Sequence, residues 1–247
     1  MLRKELNLKI ENMKAEILYY NYRNVDVNTL LVSFSEKRRI LSTWDGFKNV
    51  HFVANSYHPP KLSDFTMKNY HIFEEEFPKI LGISSNNISF LSTGANMNNL
   101  ASCVRSFRDR IVCCMATGGV GNALRSGVDP AYWMENKGEY VNVSGTINII
   151  LVTNVDLSGG AMARSIITAT EAKTAALQDM DARSSISPEN QATGTGTDNM
   201  IIVSGNDQEK PIKSTGGHTK LGELIGITTK LAVEETIKKH RESLSIS

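Results

Sequence analysis

The segment that decides the fold is GTINIILVTN, residues 145–154, in which β-branched apolar residues dominate and no residue is charged. Alternation with a period of two residues sends Thr146 and Asn148 to one face of an extended chain and Ile147 and Ile149 to the other. A short and nearly continuous apolar run of this kind is typical of a strand that is buried on both faces. We therefore predict a buried strand here, inside a sheet.

Two long helices are predicted after this strand. Residues 158–179 are rich in alanine, and Ser158 is a suitable N-cap for a helix that begins there. A second helix, over residues 219–241, closes the chain. Between the two helices, residues 184–192 are predicted to form a polar loop, and residues 200–204 another buried strand.

The N-terminal part of the chain predicts an antiparallel meander of short strands. Runs of β-branched and aromatic residues occupy 15–22, 29–34, 39–43 and 50–56. Turn residues separate them, at 24–26, 35–37 and 45–46. A helix over 67–81, stopped by Gly82, and buried strands at 88–92 and 111–115 follow. The predicted fold class is therefore α/β in the broad sense (α+β): a single mixed domain over residues 1–247, with a strand meander, further buried strands and two long helices.

Charge and composition exclude several classes of function. The chain has 27 Lys and Arg residues against 26 Asp and Glu residues, whereas a nucleic-acid-binding protein needs clustered positive charge. The longest uncharged stretch, 80–104, contains many Ser and Asn residues, so no membrane span is predicted. The N-terminus has no apolar core like that of a secretory signal, and three cysteines make no disulfide framework. We expect a cytoplasmic protein.

The sequence predicts neither a metal site nor a bound cofactor. Five histidines are scattered along the chain, without a His-Glu-x-x-His or Cys-x-x-Cys pattern. A Gly-x-Ser-x-Gly turn is also missing, which disfavours a serine hydrolase of the α/β-hydrolase type.

Lys173 is an anomaly in the helix over 158–179. At about 100° per residue it falls in the apolar sector of that helix, whereas Arg164 and Glu171 fall on the opposite side. A lysine on a core face must extend its ammonium to solvent, pair with a carboxylate or lose its charge. It is either a paired structural lysine or a cationic group that faces a site. Arg164 and Glu171 are predicted to be a solvated pair.

A turn of alternating threonine and glycine, TGTGTD at residues 193–198, precedes the strand over 200–204. Such a turn offers hydroxyl groups and free backbone N–H groups, which can bind an anion or an oxyanion. Asp198 stands where the turn meets the strand and is a candidate base or orienting carboxylate. A structural Asx-turn would explain Asp198 equally well.

His218 stands at the start of the closing helix, in line with Gly222 and Gly226 at intervals of four residues. Glycines inside a helix cost about 1 kcal/mol each relative to alanine, so this stripe indicates close approach of another backbone or of a large ligand. The positive end of a helix favours a neutral imidazole that can take a proton. His218 is therefore a candidate base, although a structural histidine is the simpler explanation.

Several of these segments closely resemble the adenosylcobinamide amidohydrolase (CbiZ) family. The resemblance covers about residues 39–237 and rests on five segments in the family's order. They are TGGVGNA at 117–123, GTINI at 145–149, ARSIITATEAKTAALQ at 163–178, TGTGTD at 193–198 and GHTKLGELI at 217–225. The chain departs from the family pattern at 41–47, LSTWDGF, where a small Asn-Gly-Gly-like turn is expected.

The resemblance implies hydrolysis of the amide that joins a propionate of the corrin ring to its aminopropanol arm. The products would be adenosylcobyric acid and aminopropanol, for salvage of the corrinoid into cobalamin synthesis. The corrinoid is then the substrate, no cofactor is required, and a homo-oligomer is possible. A corrinoid carrier or sensor without turnover is the alternative function, and a phosphotransferase that uses the Thr-Gly turn is disfavoured because no Gly-Lys-Ser/Thr follows the turn.

Amide hydrolysis needs an activated nucleophile, stabilisation of an oxyanion and protonation of the departing amine. On this chemistry we predict that His218, oriented by Asp198, activates water, that Lys173 supplies charge or a proton, and that the three segments meet around one corrin-sized pocket. A threonine nucleophile, Thr195 or Thr197, is the competing mechanism. The predicted catalytic residues are His218, Asp198, Lys173 and Thr197. The predicted oxyanion- and substrate-binding residues are Asn122, Thr146, Asn148, Glu171, Thr195, Gly196, Gly217 and Gly222.

Overall fold

The structure is a computed structural model that describes residues 1–8, 10–130, 145–206 and 210–246. None of the helices in these ranges has both the length and the apolar character needed to cross a bilayer. In chain order the elements are β1 (Leu2–Leu6), β2 (Met13–Tyr22), β3 (Val25–Ser42), β4 (Gly46–Tyr57), α1 (Pro60–Lys68), α2 (Tyr70–Leu81), β5 (Ile88–Thr93), β6 (Ala101–Phe107), β7 (Arg110–Gly118), β8 (Ile147–Thr153), α3 (Gly159–Asp179), β9 (Asn199–Val203) and α4 (Lys220–Ile246).

The strands form one sheet that is organised around β3. The path through the sheet is β1-β2-β3-β9-β8-β7-β6, and β4 branches from β3 to pair with β5. β3 is long because it serves both parts of the sheet. Its first part pairs with β2, and Ile40–Ser42 at its end pair with β9. The register against β4 shifts between Ser33 and Arg38, and an irregularity of this kind bends a strand.

The elements stack in four layers: helices α3 and α4, strands β6–β9, strands β2–β5, and helices α1 and α2. A cluster of buried apolar side chains fills the space between each pair of neighbouring layers. One cluster lies between helices α3 and α4 and strands β7, β8 and β9. A second lies between two parts of the sheet, with β2–β5 on one side and β7–β9 on the other. The third lies between β2–β5 and helices α1 and α2. Neighbouring residues of β8 show the arrangement, because Ile149 belongs to the first cluster and Ile150 to the second.

The predicted fold class is confirmed. β8 is buried along its whole length, as the segment over 145–154 predicts. The antiparallel meander is present in β1–β4, and α3 begins after Ser158, whose side chain accepts a hydrogen bond from the backbone N–H of Ala161. Gly82 ends α2 with a φ of +69°, a conformation that glycine adopts without strain.

Three details of the predicted secondary structure are wrong. The turn predicted at 35–37 lies inside β3, since the polar residues there mark a bend and not a chain reversal. Strands β1 and β6 are missing from the prediction, because their mixed polar sequences lack a clear alternation. The helix predicted over 67–81 is two helices, and Pro78 lies inside α2. β5 runs parallel to β4, so the antiparallel meander ends at β4, as predicted.

Candidate active site

A buried ion pair lies between α3 and the turn that leads into β9. Lys173 donates from Nζ to Oδ2 of Asp198, and the two side chains are only 7% and 12% exposed. Lys173 is therefore a paired lysine on the core face of α3, as the helical periodicity allows. Pairing satisfies both charges, and an unpaired charge would be expensive to bury at this position.

The carboxylate of Asp198 accepts four hydrogen bonds. Besides Lys173, the hydroxyl of Thr195 donates to Oδ1 at 2.5 Å, and the backbone N–H of Ile147 donates to the same oxygen at 2.9 Å. The backbone N–H of Thr195 donates to Oδ2 at 3.3 Å. Four hydrogen bonds fill the acceptor sites of a carboxylate, so Asp198 is fixed in orientation between the threonine turn and the start of β8.

Two glycines of the turn are required by its close packing. A Cβ atom at Gly194 would stand 2.6 Å from Oδ2 of Asp198 and 2.8 Å from Nζ of Lys173. Gly196 has a φ of +77°, and a Cβ atom there would stand 2.7 Å from Cδ2 of Leu124. The alternation of threonine and glycine thus lets the backbone approach the ion pair closely on one side and Leu124 on the other.

Thr197 presents its side chain at the exposed end of this turn. Its hydroxyl donates to the backbone oxygen of Gly145 at 2.9 Å and lies 3.4 Å from the hydroxyl of Thr195. Thr195 itself is buried. Among the described residues the backbone N–H groups of Gly196 and Thr197 have no acceptor, so both amides remain available as donors to a ligand.

A chain of buried polar side chains extends from this turn into the layer between the two parts of the sheet. Thr146 donates to the backbone oxygen of Thr197 at 2.7 Å, and Asn148 follows it by two residues, in β8. The side-chain amide of Asn148 donates to Oδ1 of Asn55 at 2.9 Å and to the backbone oxygen of Ser92 at 2.8 Å. These two bonds use both of its hydrogens. The amide of Asn148 therefore has no hydrogen left for an oxyanion, which corrects its predicted role.

Asn55 and Thr117 complete this network, and neither is predicted from the sequence. Asn55 donates from Nδ2 to the hydroxyl of Thr117 at 2.7 Å, and both side chains are buried. A polar residue at an inward position of a buried strand is the signal that could have identified them. Asn122, predicted to bind substrate, is also buried, and its side-chain amide donates to the backbone oxygen of Gly145 at 2.8 Å.

The leading end of α4 lies at the other end of the sheet. Lys220 stands over the ring of Phe107, 4.8 Å from its centroid, at the turn into β7. Gly118, at the opposite end of β7, pairs with Ile147 beside Asp198. The nine residues of β7 span about 27 Å at 3.4 Å per step. His218, two residues before Lys220, is exposed. The structure therefore corrects the predicted pairing of His218 with Asp198, and only two of the three segments meet.

Close backbone packing explains Gly222 in α4, whereas nothing stands within 4 Å of a Cβ atom added at Gly226. A Cβ atom at Gly222 would overlap the backbone oxygens of Gly216 and Thr215. Thr215 in turn docks on the first half of α3, where its backbone oxygen accepts a hydrogen bond from Thr168 at 2.9 Å. Gly222 is thus needed for packing against the preceding turn, and the predicted substrate contacts of Gly217 and Gly222 do not lie at the Lys173–Asp198 pair.

Glu171 points away from the ion pair. It is exposed and precedes Lys173 by two residues, which turns the two side chains about 160° apart on a helix. A different histidine lies near the site end of the sheet. A Cβ atom at Gly119 would stand 3.0 Å from Nε2 of His240, and the backbone N–H of Gly119 donates to the oxygen of Thr146 at 3.2 Å. Burial lowers the pKa of His240 below its ordinary value.

Neither a metal centre nor a reactive thiol is evident in the described ranges. Within them, no three His, Cys, Asp or Glu side chains stand close enough together to hold a metal ion. Cys113 and Cys114 are fully buried on β7. Burial raises the pKa of Cys113 to about 12 and raises that of Cys114 as well, so both remain uncharged thiols at neutral pH.

The geometry defines a site with a hydroxyl, two free backbone amides and a buried ion pair, which is chemistry suited to acyl transfer. The model of the adenosylcobinamide amidohydrolase family, CbiZ, matches residues 14–245. The chain belongs to this family, and the family name supports an amide hydrolase. A relative from Methanocaldococcus jannaschii, the uncharacterized protein MJ1613, is 42% identical over 225 residues, which cover 87% of each chain.

Solved structures that superpose on most of this chain have low sequence identity to it. The PH0078 protein from Pyrococcus horikoshii has a TM-score of 0.46 at 14% identity, over 94% of this chain and 84% of its own. A β-aminopeptidase from a Burkholderia species gives 0.42 at 9%, over 91% and 82%. An L-aminopeptidase D-Ala-esterase/amidase from Ochrobactrum anthropi gives 0.44 at 9%, over 94% and 84%. At these scores the likeness is too loose to transfer a site.

Proposed function

We propose that this protein hydrolyses the amide that joins the corrin propionate of adenosylcobinamide to aminopropanol. The family match over residues 14–245 carries the choice of substrate. The products are then adenosylcobyric acid and aminopropanol. In this proposal the whole chain acts as one domain in the cytoplasm and requires no cofactor, since the reaction uses only side chains, backbone amides and water.

The proposed nucleophile is the hydroxyl of Thr197. Its exposure allows a large substrate to reach it, whereas Thr195 is buried. The hydroxyl oxygen of Thr195 stands 3.4 Å from that of Thr197, and the Thr195 hydroxyl donates to Oδ1 of Asp198 at 2.5 Å. When the hydroxyl of Thr197 turns away from the backbone oxygen of Gly145, to which it donates in the structure, its proton can pass to the oxygen of Thr195 while the proton of Thr195 moves to Oδ1 of Asp198. This relay supports the competing threonine mechanism over activation of water by His218.

The backbone supplies the oxyanion site in this mechanism. As the oxygen of Thr197 bonds to the amide carbon, the negative charge on the substrate oxygen is stabilised by the free N–H groups of Gly196 and Thr197. Thr195 contributes no amide, because its N–H is bonded to Asp198. Of the turn's backbone N–H groups, those of Gly196 and Thr197 are therefore the ones proposed to bind the oxyanion.

Collapse of this intermediate breaks the C–N bond. The proton held by Asp198 returns through Thr195 to the nitrogen, and aminopropanol leaves. Water then attacks the ester at Thr197 and loses a proton to the same relay, which releases cobyric acid and restores the hydroxyl. Lys173 pairs with Asp198 and stabilises its carboxylate form before the first proton transfer and after the second.

The first test is the release of aminopropanol from adenosylcobinamide. We expect Thr197→Ala to lower the rate at least a hundredfold, because the proposed nucleophile is lost. Thr197→Ser keeps a hydroxyl and should still release aminopropanol at a measurable rate. His218→Ala is the matched control and should keep the wild-type rate, since His218 lies at the far end of β7. Trapping with hydroxylamine should yield the corrin hydroxamate in the wild type.

Each of the other outcomes points to a different function or mechanism. Binding of cobinamide without any release of aminopropanol would favour the corrinoid carrier or sensor. Loss of activity in His218→Ala with full activity in Thr197→Ala would restore the activated-water mechanism. Full activity in both variants would place the active site elsewhere in the chain.

A further inference from the structure

The tip of the β3–β4 hairpin carries an exposed tryptophan. Trp44 is 51% exposed, which is unusual for the largest apolar side chain. It lies in the turn between β3, which ends at Ser42, and β4, which begins at Gly46. The proposed reaction assigns no role to this segment.

Two contacts hold the indole in a fixed orientation. Its ring packs edge-on against Tyr70, with centroids 5.3 Å apart and planes at 72°. Its Nε1–H donates to Oε1 of Glu74 at 3.2 Å. The polar edge of the ring is therefore satisfied by the protein, and the exposed part is apolar. A rigid aromatic side chain of this kind binds a flat ligand at little cost in conformational entropy.

Hydrogen bonds join the hairpin tip to the threonine turn. Thr43, the preceding residue, donates from its hydroxyl to Oδ1 of Asn199 at 2.8 Å. Asn199 in turn donates from Nδ2 to the backbone oxygen of Thr197 at 3.1 Å. The hairpin tip is thus joined by two hydrogen bonds to the residue that carries the proposed nucleophile.

A second path links the same indole to the polar network. Tyr70, on which Trp44 packs, is within hydrogen-bonding distance of the hydroxyl of Ser92, at 3.1 Å. The backbone oxygen of Ser92 accepts from Asn148 at 2.8 Å. Trp44 is therefore attached to the site from two directions, through its own backbone and through the aromatic ring beneath it.

We propose that Trp44 is a substrate-contacting residue, which packs its exposed face against the flat corrin macrocycle while the aminopropanol amide reaches Thr197. This inference rests on the proposed function for the identity of the ligand. A corrin is broad, largely flat and partly apolar, so it complements an exposed indole at the rim of the site better than a small or strongly charged substrate would.

The experiment measures the affinity for cobyric acid, which contains the corrin but lacks the amide that is cleaved. Its binding can be measured by calorimetry without turnover, so the result does not depend on the proposed reaction. We expect Trp44→Ala to raise the Kd about tenfold and Trp44→Phe to raise it less than threefold, because a phenyl ring keeps part of the stacking surface. With adenosylcobinamide, Trp44→Ala should raise KM and leave kcat nearly unchanged.

Phe47 provides the matched control on the same hairpin. It is 52% exposed, but its ring faces Arg39, 5.0 Å away, and the start of α3 at Gly159. Phe47→Ala should leave the Kd unchanged. An unchanged Kd in Trp44→Ala, or an equal rise in Phe47→Ala, would overturn the inference. If the affinity depends on Trp44 but no aminopropanol is released, the contact stands and the proposed reaction fails. If aminopropanol is released but the affinity does not depend on Trp44, the reaction stands and the contact fails.

Discussion

The pairing of Lys173 with Asp198 shows what a sequence can predict about a single residue. Helical periodicity places Lys173 on the core face of α3, and that placement is confirmed by its burial. The partner could not be predicted with the same method, because Asp198 lies in a turn that is 25 residues away in the chain. His218 shows the reverse case. Its position at a helix start is clear from sequence, but only the tertiary structure shows at which end of the sheet that helix begins.

Removal of one member of this ion pair should be costly. Lys173→Met leaves the carboxylate of Asp198 buried without its cation, so we expect the free energy of unfolding to fall by about 3 kcal/mol. The double variant Lys173→Met/Asp198→Leu should lose less than the sum of the two single variants, since no lone charge remains. Urea denaturation measures both.

An exposed ion pair is the control for this comparison. Lys220 and Glu223 are 37% and 46% exposed, and such pairs contribute about 1 kcal/mol or less. Lys220→Met should therefore change the free energy of unfolding only slightly. Strict additivity at Lys173 and Asp198 would show that the two charges do not stabilise each other.

At the level of elements, local pattern predicts the helices and the buried strands better than it predicts their connections. The segment over 145–154 is a buried strand because its apolar run has no other stable environment. The bend in β3 could not be predicted, because residues 35–37 have the composition of a turn. The strand is seen to continue only because β3 pairs with β4 both before this segment, up to Ser33, and after it, from Arg38. Strand order and the parallel pairing of β4 with β5 depend on contacts between distant residues, which periodicity does not encode.

Replacement by alanine should have opposite effects on the free energy of unfolding at Gly222 and at Gly226, which both lie near the start of α4. Gly222→Ala would force a methyl group into the backbone oxygens of Gly216 and Thr215, so we expect a loss of about 2 kcal/mol or more. At Gly226 nothing stands within 4 Å of an added Cβ atom. Gly226→Ala should therefore stabilise the protein by about 1 kcal/mol through helix propensity.

Thermal and urea denaturation of both variants give the comparison. Because the two positions lie on the same helix and receive the same methyl group, the difference between them isolates the close contact with the preceding turn. Equal effects at Gly222 and Gly226 would mean that this turn moves aside without cost.

At the scale of the whole molecule, burial between layers makes the fold sensitive to acid. His58, which follows β4, is 8% exposed, and its ring packs edge-on against Phe73 with centroids 4.3 Å apart. Its Nε2 atom has no hydrogen-bond partner among the described residues. Burial lowers the pKa of His58 to about 4 from 6.5, so the folded protein holds the imidazole neutral where the unfolded chain would already be protonated.

The free energy of unfolding should therefore fall as the pH is lowered from about 6.5 to about 4. In this range the unfolded state binds the proton and the folded state does not, which removes about 3 kcal/mol over the full interval. Urea denaturation at several pH values measures the slope. His58→Phe should lose the part of the slope that this group contributes, and an identical slope in the variant would contradict the assignment.

The pairing of Ile40–Ser42 with Ile201–Val203 also affects when the molecule can fold. It joins two segments separated by about 160 positions in the chain, and contacts across so long an interval are entropically expensive and slow to form. The turn with Thr197 and Asp198 leads directly into the later of these segments. During synthesis on the ribosome, a nascent chain would thus form this pairing, and fix the turn that leads into it, only after residue 203 had been made.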